Sequence, residues 1–383
     1  MKHNLLYKAL FICSFLLFHS SMQAQLAKWT VEKFNKVFND NTSSAKPKFI
    51  AYPVIAFTPE TSWEFGASGL LVYYAKRDTA NRLSELSAFT YATLKNQYGL
   101  WLDHAFYTDD NDHFFLGRIR IQQFPLLYYG IGVDTPNEPI AQVDGFTVSI
   151  RERLLRKVAW SFYIGLELDY SQLSGVSFNE RTEETFTHPA GDNGSINFGT
   201  GIGLVFDERH NVLNPRKGLF VEGGFLHYDE VWGSDYSFTN YFLDFRCYYP
   251  TTKQQVLAYQ FYANVILEGP GGEVPFNQLT LMGGESLMRG YYLGRYRDNI
   301  LLATQAEYRF LPFPFSKRFG GTVFGSVGGV SPRIADIDVR EWVGAGGLGV
   351  RFLLFPAKDI YTRIDVAFTP EGLGYYFYIG EAF

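Results

Sequence analysis

Residues 160–171, WSFYIGLELDYS, place Trp160, Phe162, Ile164, Leu166, Leu168 and Tyr170 at alternate positions, with Ser161, Tyr163, Gly165, Glu167, Asp169 and Ser171 between them. Successive side chains of an extended chain point to opposite faces, so this stretch has one greasy side and one polar side. The same split recurs in 196–207, INFGTGIGLVFD, and in 300–310, ILLATQAEYRF. An average soluble strand has about five or six residues, whereas these runs approach the nine to eleven that a tilted strand needs to cross a bilayer. In hydrocarbon every backbone N–H and C=O must be paired inside the protein, so strands of this kind have to close into a barrel.

Composition points the same way. The 383 residues are 18% aromatic but only 19% charged, where soluble domains carry about 25% charge. Past the N-terminus no stretch approaches the roughly 20 consecutive apolar residues of a spanning helix. Aromatics gather at the ends of runs, as in CYYP (247–250) and YYFYIG (375–380), which is how interfacial girdles are built. A net charge of −5 excludes a generally basic surface and with it nucleic acid as a partner.

Sixteen candidate strands follow one another from 49–57 to 373–383, among them 145–154 and 159–172. The count is even, as bacterial outer-membrane barrels require. Short turns such as TDDND (108–112) alternate with long connections around 125–143, 171–195 and 268–298. Short turns are periplasmic and long loops extracellular, so both chain ends are expected in the periplasm. The fold class is therefore an all-β membrane protein, a sixteen-stranded antiparallel transmembrane barrel over 49–383, in the cell outer membrane.

Ahead of the barrel, residues 1–24 have Lys2 and Lys8, an apolar run from Ala9 to Phe18, and small or polar residues ending at Ala24. This reads as a secretory signal peptide. Residues 25–48 form a short periplasmic segment, in which Leu26, Trp29, Phe34, Val37 and Phe38 suit either an amphipathic helix or a plain tether. Cys247 is the one cysteine beyond residue 24, so no internal disulfide is expected. It shares parity with Leu243 and Phe245 and should face lipid.

Three stretches carry more specific information: GGESLMRGYYLGRYRDN (283–299), DERHNVLNPRKGLFVEG (207–223) and PVIAFTPETSWEFGA (53–67). Taken together in chain order they resemble the BamA/TamA-like (bacterial surface antigen) superfamily of outer-membrane barrels. The first matches its arginine motif as Met288-Arg289-Gly290-Tyr291, between strands eleven and twelve. The second matches its periplasmic turn, with Asp207, Arg209 and Asn211 followed by Pro215 and Gly218. The resemblance implies a loop folded back into the lumen, with Arg289 against the inner wall. A guanidinium drawn from water needs a carboxylate of matching fork geometry. The family offers an Asp on strand thirteen, but here FGSVG (324–328) puts Ser326 there. Strand parity nominates Glu307 on strand twelve and Asp365 on strand fifteen as partners, Glu307 first.

Parity also puts Arg118, Arg120, Arg151, Arg153, Arg246, Arg351 and Arg363 inward, facing Glu167, Asp169, Glu222, Asp244 and Asp365. Such charges line a pore, lock a plug or simply hold the wall. Asp103 and His104 are adjacent on one strand and so face opposite sides, which defeats a catalytic dyad. No histidine spacing suggests a metal, no cofactor motif is present, and an enzyme is not expected. Tyr375, Phe377, Ile379 and the final Phe383 share one face of the last strand. That aromatic ending resembles the signal by which barrels are handed to the outer-membrane assembly machinery, of which this chain should be a client.

For function, the resemblance implies insertion or translocation of polypeptides, or of lipids, through a seam between the first strand and the last. Pro53 cannot donate to a ladder and suits an edge, and Gly372, Gly374 and Gly380 weaken the last strand. Assembly members of the family carry periplasmic POTRA domains for client capture. Residues 25–48 are too few for one, so capture is expected to be absent, done by the short helix, or supplied by a periplasmic or lipoprotein partner. The alternative is a passive or substrate-selective channel, or a structural barrel that binds partners through its long loops.

Overall fold

The computed structural model describes residues 46–383 apart from 183–186, 210, 213, 271, 357 and 358. The expected signal peptide, 1–24, and nearly all of the 25–48 segment lie outside the described residues. Among the described residues sixteen antiparallel strands pair in chain order and close on themselves. They are β1 Lys48–Thr58, β2 Ser62–Tyr74, β3 Leu83–Thr93, β4 Tyr98–Tyr107, β5 His113–Gln123, β6 Ala141–Ala159, β7 Phe162–Glu180 and β8 Ser195–Asp207. The second half is β9 Gly218–Tyr228, β10 Phe238–Pro250, β11 Gln255–Glu268, β12 Ile300–Phe310, β13 Phe319–Ser331, β14 Val343–Phe355, β15 Ile360–Thr369 and β16 Gly372–Ile379.

Alternation sorts the side chains as the period of two requires. On β7, Ile164 and Leu166 are exposed on the outer face, while Tyr163, Glu167 and Asp169 are buried in the lumen. Leu348 on β14 and Ile364 on β15 continue the outer apolar belt. Cys247 is half-buried and opposite Leu219 and Tyr259, on that same outer face.

Two strands are longer than the expected 145–154 and 159–172. β6 and β7 run to 19 residues each and stand beyond the belt at the long-loop end. Their extension has its own apolar support, where Ala141, Val143 and Leu173 pack with Tyr128 and Phe276. Parity could not be followed there because the ladder slips between Asp144 and Phe146, and such a bulge resets the faces. A short strand, Leu126–Tyr128, continues the β5 side of the sheet past Pro125 and pairs with β6. The β11–β12 connection holds a small hairpin, Thr280–Met282 against Tyr296–Asp298.

The short-turn end is laced across. Arg216, in the β8–β9 turn, clasps Asp359 of the β14–β15 turn through Nε at 2.6 Å and Nη2 at 2.8 Å, and its Nη1 donates to the Leu311 carbonyl at 2.7 Å. Arg82 donates to the Asp207 carbonyl at 2.6 Å. Gly218 closes this turn at φ +111°, where a Cβ would lie 2.4 Å from the Glu208 carbonyl oxygen. Within the turn Asp207 accepts from the Arg209 backbone and guanidinium. Asn211 Oδ1 accepts from the Asn214 amide at 3.4 Å, and Pro215 is buried.

The barrel's closure is uneven. β1 pairs with β2 from Lys48–Val72 to Thr58–Ser62, and β15 pairs with β16 from Thr362–Ile379 to Thr369–Gly372. Between β1 and β16, among the described residues, the one registered pair is Phe57–Phe377.

One expectation is corrected at the chain's end. Tyr375 and Phe377 do face outward, but Phe383 does not join them. β16 stops at Ile379, and Gly380 at φ +97° turns the chain inward, its N–H donating to the Tyr361 carbonyl at 2.8 Å. Phe383 is buried with Tyr248, Val256 and Ala258. A left-handed glycine restarts the alternation, so parity carried through it from Ile379 gives the wrong face.

An arginine in the middle of the outer belt tests which face meets lipid. Leu348→Arg is expected to destabilise the barrel by roughly 2–4 kcal/mol. Reversible denaturant unfolding in liposomes measures it.

Candidate functional site

The β11–β12 connection turns back into the lumen because its residues can make the turns and its side chains are met by the wall. Gly290 has φ +110°, and a Cβ there would lie 2.5 Å from Thr369 Cγ2. Met288 holds a positive φ of 55°, uncommon for a residue with a side chain. It is fully buried with Met282, Tyr291, Tyr296, Leu301, Ala303 and Val330, and that packing supports the strained turn. Tyr291 donates its hydroxyl to the Gly344 carbonyl at 3.1 Å, and the Gly290 N–H donates to the Tyr376 hydroxyl at 2.9 Å. The four motif residues thus touch β12 to β16.

Arg289 is 1% exposed. Its Nη1 donates to Asp365 on β15 and its Nη2 to Glu307 on β12, and its guanidinium lies 3.7 Å over the Phe324 ring. Both carboxylates nominated by parity therefore share one arginine. Ser326 is buried, and its hydroxyl has no hydrogen-bond partner among the described residues.

The pair belongs to a larger buried network. Glu307 also accepts from Arg309 Nε at 2.6 Å, and Asp365 from Arg351 and from Arg363 Nη1 at 3.0 Å. Glu381, past the end of β16, accepts from Arg351 Nε at 2.9 Å and lies 3.7 Å from Arg309 Nε. Four arginines here face three carboxylates. Part of the donor surplus finds carbonyls, Arg309 Nη2 reaching Phe383 O and Arg363 Nη2 reaching Glu285 O, both at 3.0 Å, while Arg289 Nε, Arg309 Nη1, Arg351 Nη2 and Arg363 Nε are buried with no hydrogen-bond partner among the described residues. Glu381 and Tyr376 were not singled out in the sequence. Tyr376 lies on the inward parity of β16 and was findable; Glu381 comes after Gly380, where parity no longer applies.

Towards the long-loop end the hairpin is held by turns. Arg295 Nε and the Tyr296 hydroxyl donate to Glu371 at 2.7 and 2.8 Å, and Arg295 Nη1 donates to Thr135 at 2.6 Å. The Leu293 N–H donates to Glu60 in the β1–β2 turn at 2.8 Å. Burial raises the Glu60 carboxyl above its ordinary value, though hydrogen bonds from its own and the Leu293 amides oppose the shift. Asp298 is pushed up to about 6, first by burial and further by the nearby Glu268.

Other sequence candidates are placed as follows. Asp103 faces the lumen and pairs with Arg120 at 2.7 Å, while His104 faces outward and meets Glu152 at 3.2 Å. The two stay on opposite sides of β4. Arg151 and Arg153 meet Glu167, Arg153 also meets Glu222 at 2.7 Å, and Arg246 meets Asp244 at 2.5 Å. In the TDDND turn Asp109 is held by Lys76 at 2.6 Å and Asn81 at 3.1 Å.

A closed sixteen-stranded barrel whose eleventh connection folds inward and sets an arginine between wall carboxylates defines a class of outer-membrane barrels. Residues 127–352 match the model of the Omp85 superfamily domain, and the chain belongs to that superfamily; it is a barrel of the outer membrane and not an enzyme. The fold is also that of BamA from Haemophilus ducreyi lacking POTRA domains 1–3, at 14% identity and a TM-score of 0.59 over 88% of this chain and 70% of that one. CdiB from Escherichia coli matches at 9% identity and 0.56, covering 91% of this chain and 69% of its own. CdiB from Acinetobacter baumannii matches at 11% and 0.52, covering 87% and 59%. No curated relative matches significantly.

Removing Arg289 leaves two buried carboxylates short of a partner. Arg289→Ala is expected to cost roughly 3–5 kcal/mol, and Arg289→Lys, which lacks the fork, to recover only part of it. Denaturant unfolding of the three proteins in the same liposomes gives the comparison.

The hairpin should also respond to pH. A carboxyl whose value is raised in the folded state binds its proton more tightly there, so its stabilising contribution is complete below the unfolded value and is lost as pH rises through the folded one. For Asp298 the window runs from about 4 to about 6, and Glu60 acts in the same direction. Hydrogen exchange at the amides of 280–298 should be slower at pH 4.5 than at pH 7 after correction for intrinsic rates; Asp298→Asn should flatten the difference.

Proposed function

We propose that this barrel assists the insertion or translocation of polypeptides, or of lipids, at the outer membrane, using the β1–β16 seam as a lateral gate. The observation that carries the reading is the seam itself, where Phe57–Phe377 is the one registered pair among the described residues. Unpaired backbone at a strand edge is a template for another extended chain, and in hydrocarbon it is costly to leave open. A client strand added there would satisfy both demands. Pro53 limits donation along β1, and in the Phe57–Phe377 register β16 ends opposite Ile55, so the part of β1 from Lys48 to Val54 has no β16 residue facing it.

The arginine network suits the same role. It ties the inward loop to β12, β15 and β16, so the wall leading to the seam stays rigid while the seam is free to part. The passive-channel alternative is disfavoured by that loop, seated in the lumen, and by the β8–β9 turn tied across the short-turn end. In this reading residues 1–24 direct export, 25–48 lie in the periplasm, and both chain ends and the short turns are periplasmic. The chain is itself a client of the assembly machinery, and a periplasmic or lipoprotein partner supplies client capture.

The test is reconstitution in liposomes with a separate denatured barrel as client. The protein should speed the client's folding, and Arg289→Ala should not. A Phe57→Cys, Phe377→Cys pair in a Cys247→Ala background places two thiols at opposed strand positions, within disulfide reach. Oxidation should abolish the acceleration and reduction should restore it. No acceleration by a barrel shown to be folded, or full activity with the seam locked, would overturn the reading.

A further inference from the structure

We propose that the lumen wall of β4, β5 and β6 carries a binding site for a small oxyanion, a phosphate or a carboxylate, built on Arg118 and Arg151. The register sets Asp103, Arg118, Arg151 and Asp169 in one inward row across β4 to β7. Like charges directly opposite one another are destabilising, so the Arg118–Arg151 pairing calls for a counter-charge.

None of the neighbouring carboxylates bonds to Arg118, although Glu167 holds Arg151 through Oε1 and keeps a buried Oε2 with no hydrogen-bond partner among the described residues. Asp103 gives both oxygens to Arg120 Nη2, at 2.7 and 3.0 Å, and Asp169 accepts from the Tyr228 hydroxyl at 2.8 Å. Glu167 holds Arg151 and Arg153, and Glu222 holds Arg153. Arg118 is left exposed to the lumen, and among the described residues it makes no hydrogen bond, ion pair or ring contact. The charges acting on it are Glu222 against Arg151, Arg120 and Arg153. Arg151 adds a second unmet group, since its Nη2 is buried with no hydrogen-bond partner among the described residues.

Both arginines border one recess of about 80 Å³, lined also by Glu85, Asp103, His104, Leu116 and Arg153. Glu85 lies near the start of β3, at the short-turn end, and confines an anion to the arginine side. Guanidinium forks match the geometry of carboxylate and phosphate oxygens, and charge-assisted bonds of this kind are strong. At about 80 Å³ the recess is far smaller than a pocket for a drug-sized ligand and takes only a small ion. The site is independent of the seam and of the Arg289 network.

Isothermal titration of the folded full barrel in neutral detergent at low salt tests it, with inorganic phosphate and succinate as separate probes. Saturable one-to-one binding of either is expected, and the tighter of the two names the oxyanion. Arg118→Gln should weaken it by about tenfold or more, the loss of one charge-assisted partner. Because Arg118 makes no hydrogen bond or ion pair among the described residues, that variant should fold, which circular dichroism of the barrel checks. Absence of saturable binding by either probe, or equal binding by Arg118→Gln, would overturn the proposal.

Discussion

One guanidinium shared by carboxylates of two different strands is the interaction on which the rest of this barrel depends. Glu307 and Asp365 sit on β12 and β15, with two strands between them, and Arg289 bonds to both from a loop that starts at the other end of the lumen. A lumen built of strands alone has only its own wall to pack against. With the loop inside, β12 to β16 acquire a buried face, and Met288, Tyr291 and Phe324 cover the charges that would otherwise be wet.

The network's composition explains why it is extended rather than a simple pair. Burying an ion pair costs desolvation that is regained only when every remaining donor and acceptor is met. Arg309, Arg351 and Arg363 bring more donors than Glu307 and Asp365 can accept, and Glu381 with the Phe383 and Glu285 carbonyls takes up part of the excess, one nitrogen of each arginine staying without a partner among the described residues. Segments far apart in the chain are thereby made conditional on one another. On the opposite wall Arg118 differs in kind, since among the described residues it makes no hydrogen bond or ion pair at all.

Much of this was legible in the sequence, because a transmembrane strand has only two faces and polarity reports which is which. Sixteen strands and the inward placement of Glu307 and Asp365 follow from that rule, whereas the inward fold of the loop was implied by the resemblance of Met288-Arg289-Gly290-Tyr291 to a family motif. The rule failed wherever the period of two is interrupted. The bulge beside Gly145 hid the full length of β6 and β7, whose outer ends are held by a local cluster. Gly380 reversed the face of everything after Ile379, so Glu381 and Phe383 were misread or missed. Ser326 is a different case: its position was read correctly, but a side chain's reach is settled by three-dimensional distance, and β15 supplied the carboxylate that β13 lacks.

The inward turn at Gly380 has a consequence for the life history of the chain. An aromatic address at Phe383 is readable only while the chain is unfolded, because in the finished barrel the ring lies against Tyr248 and Ala258 and its carbonyl is held by Arg309. Were Phe383 part of a delivery signal, folding would hide it, and only the unfolded chain could present it.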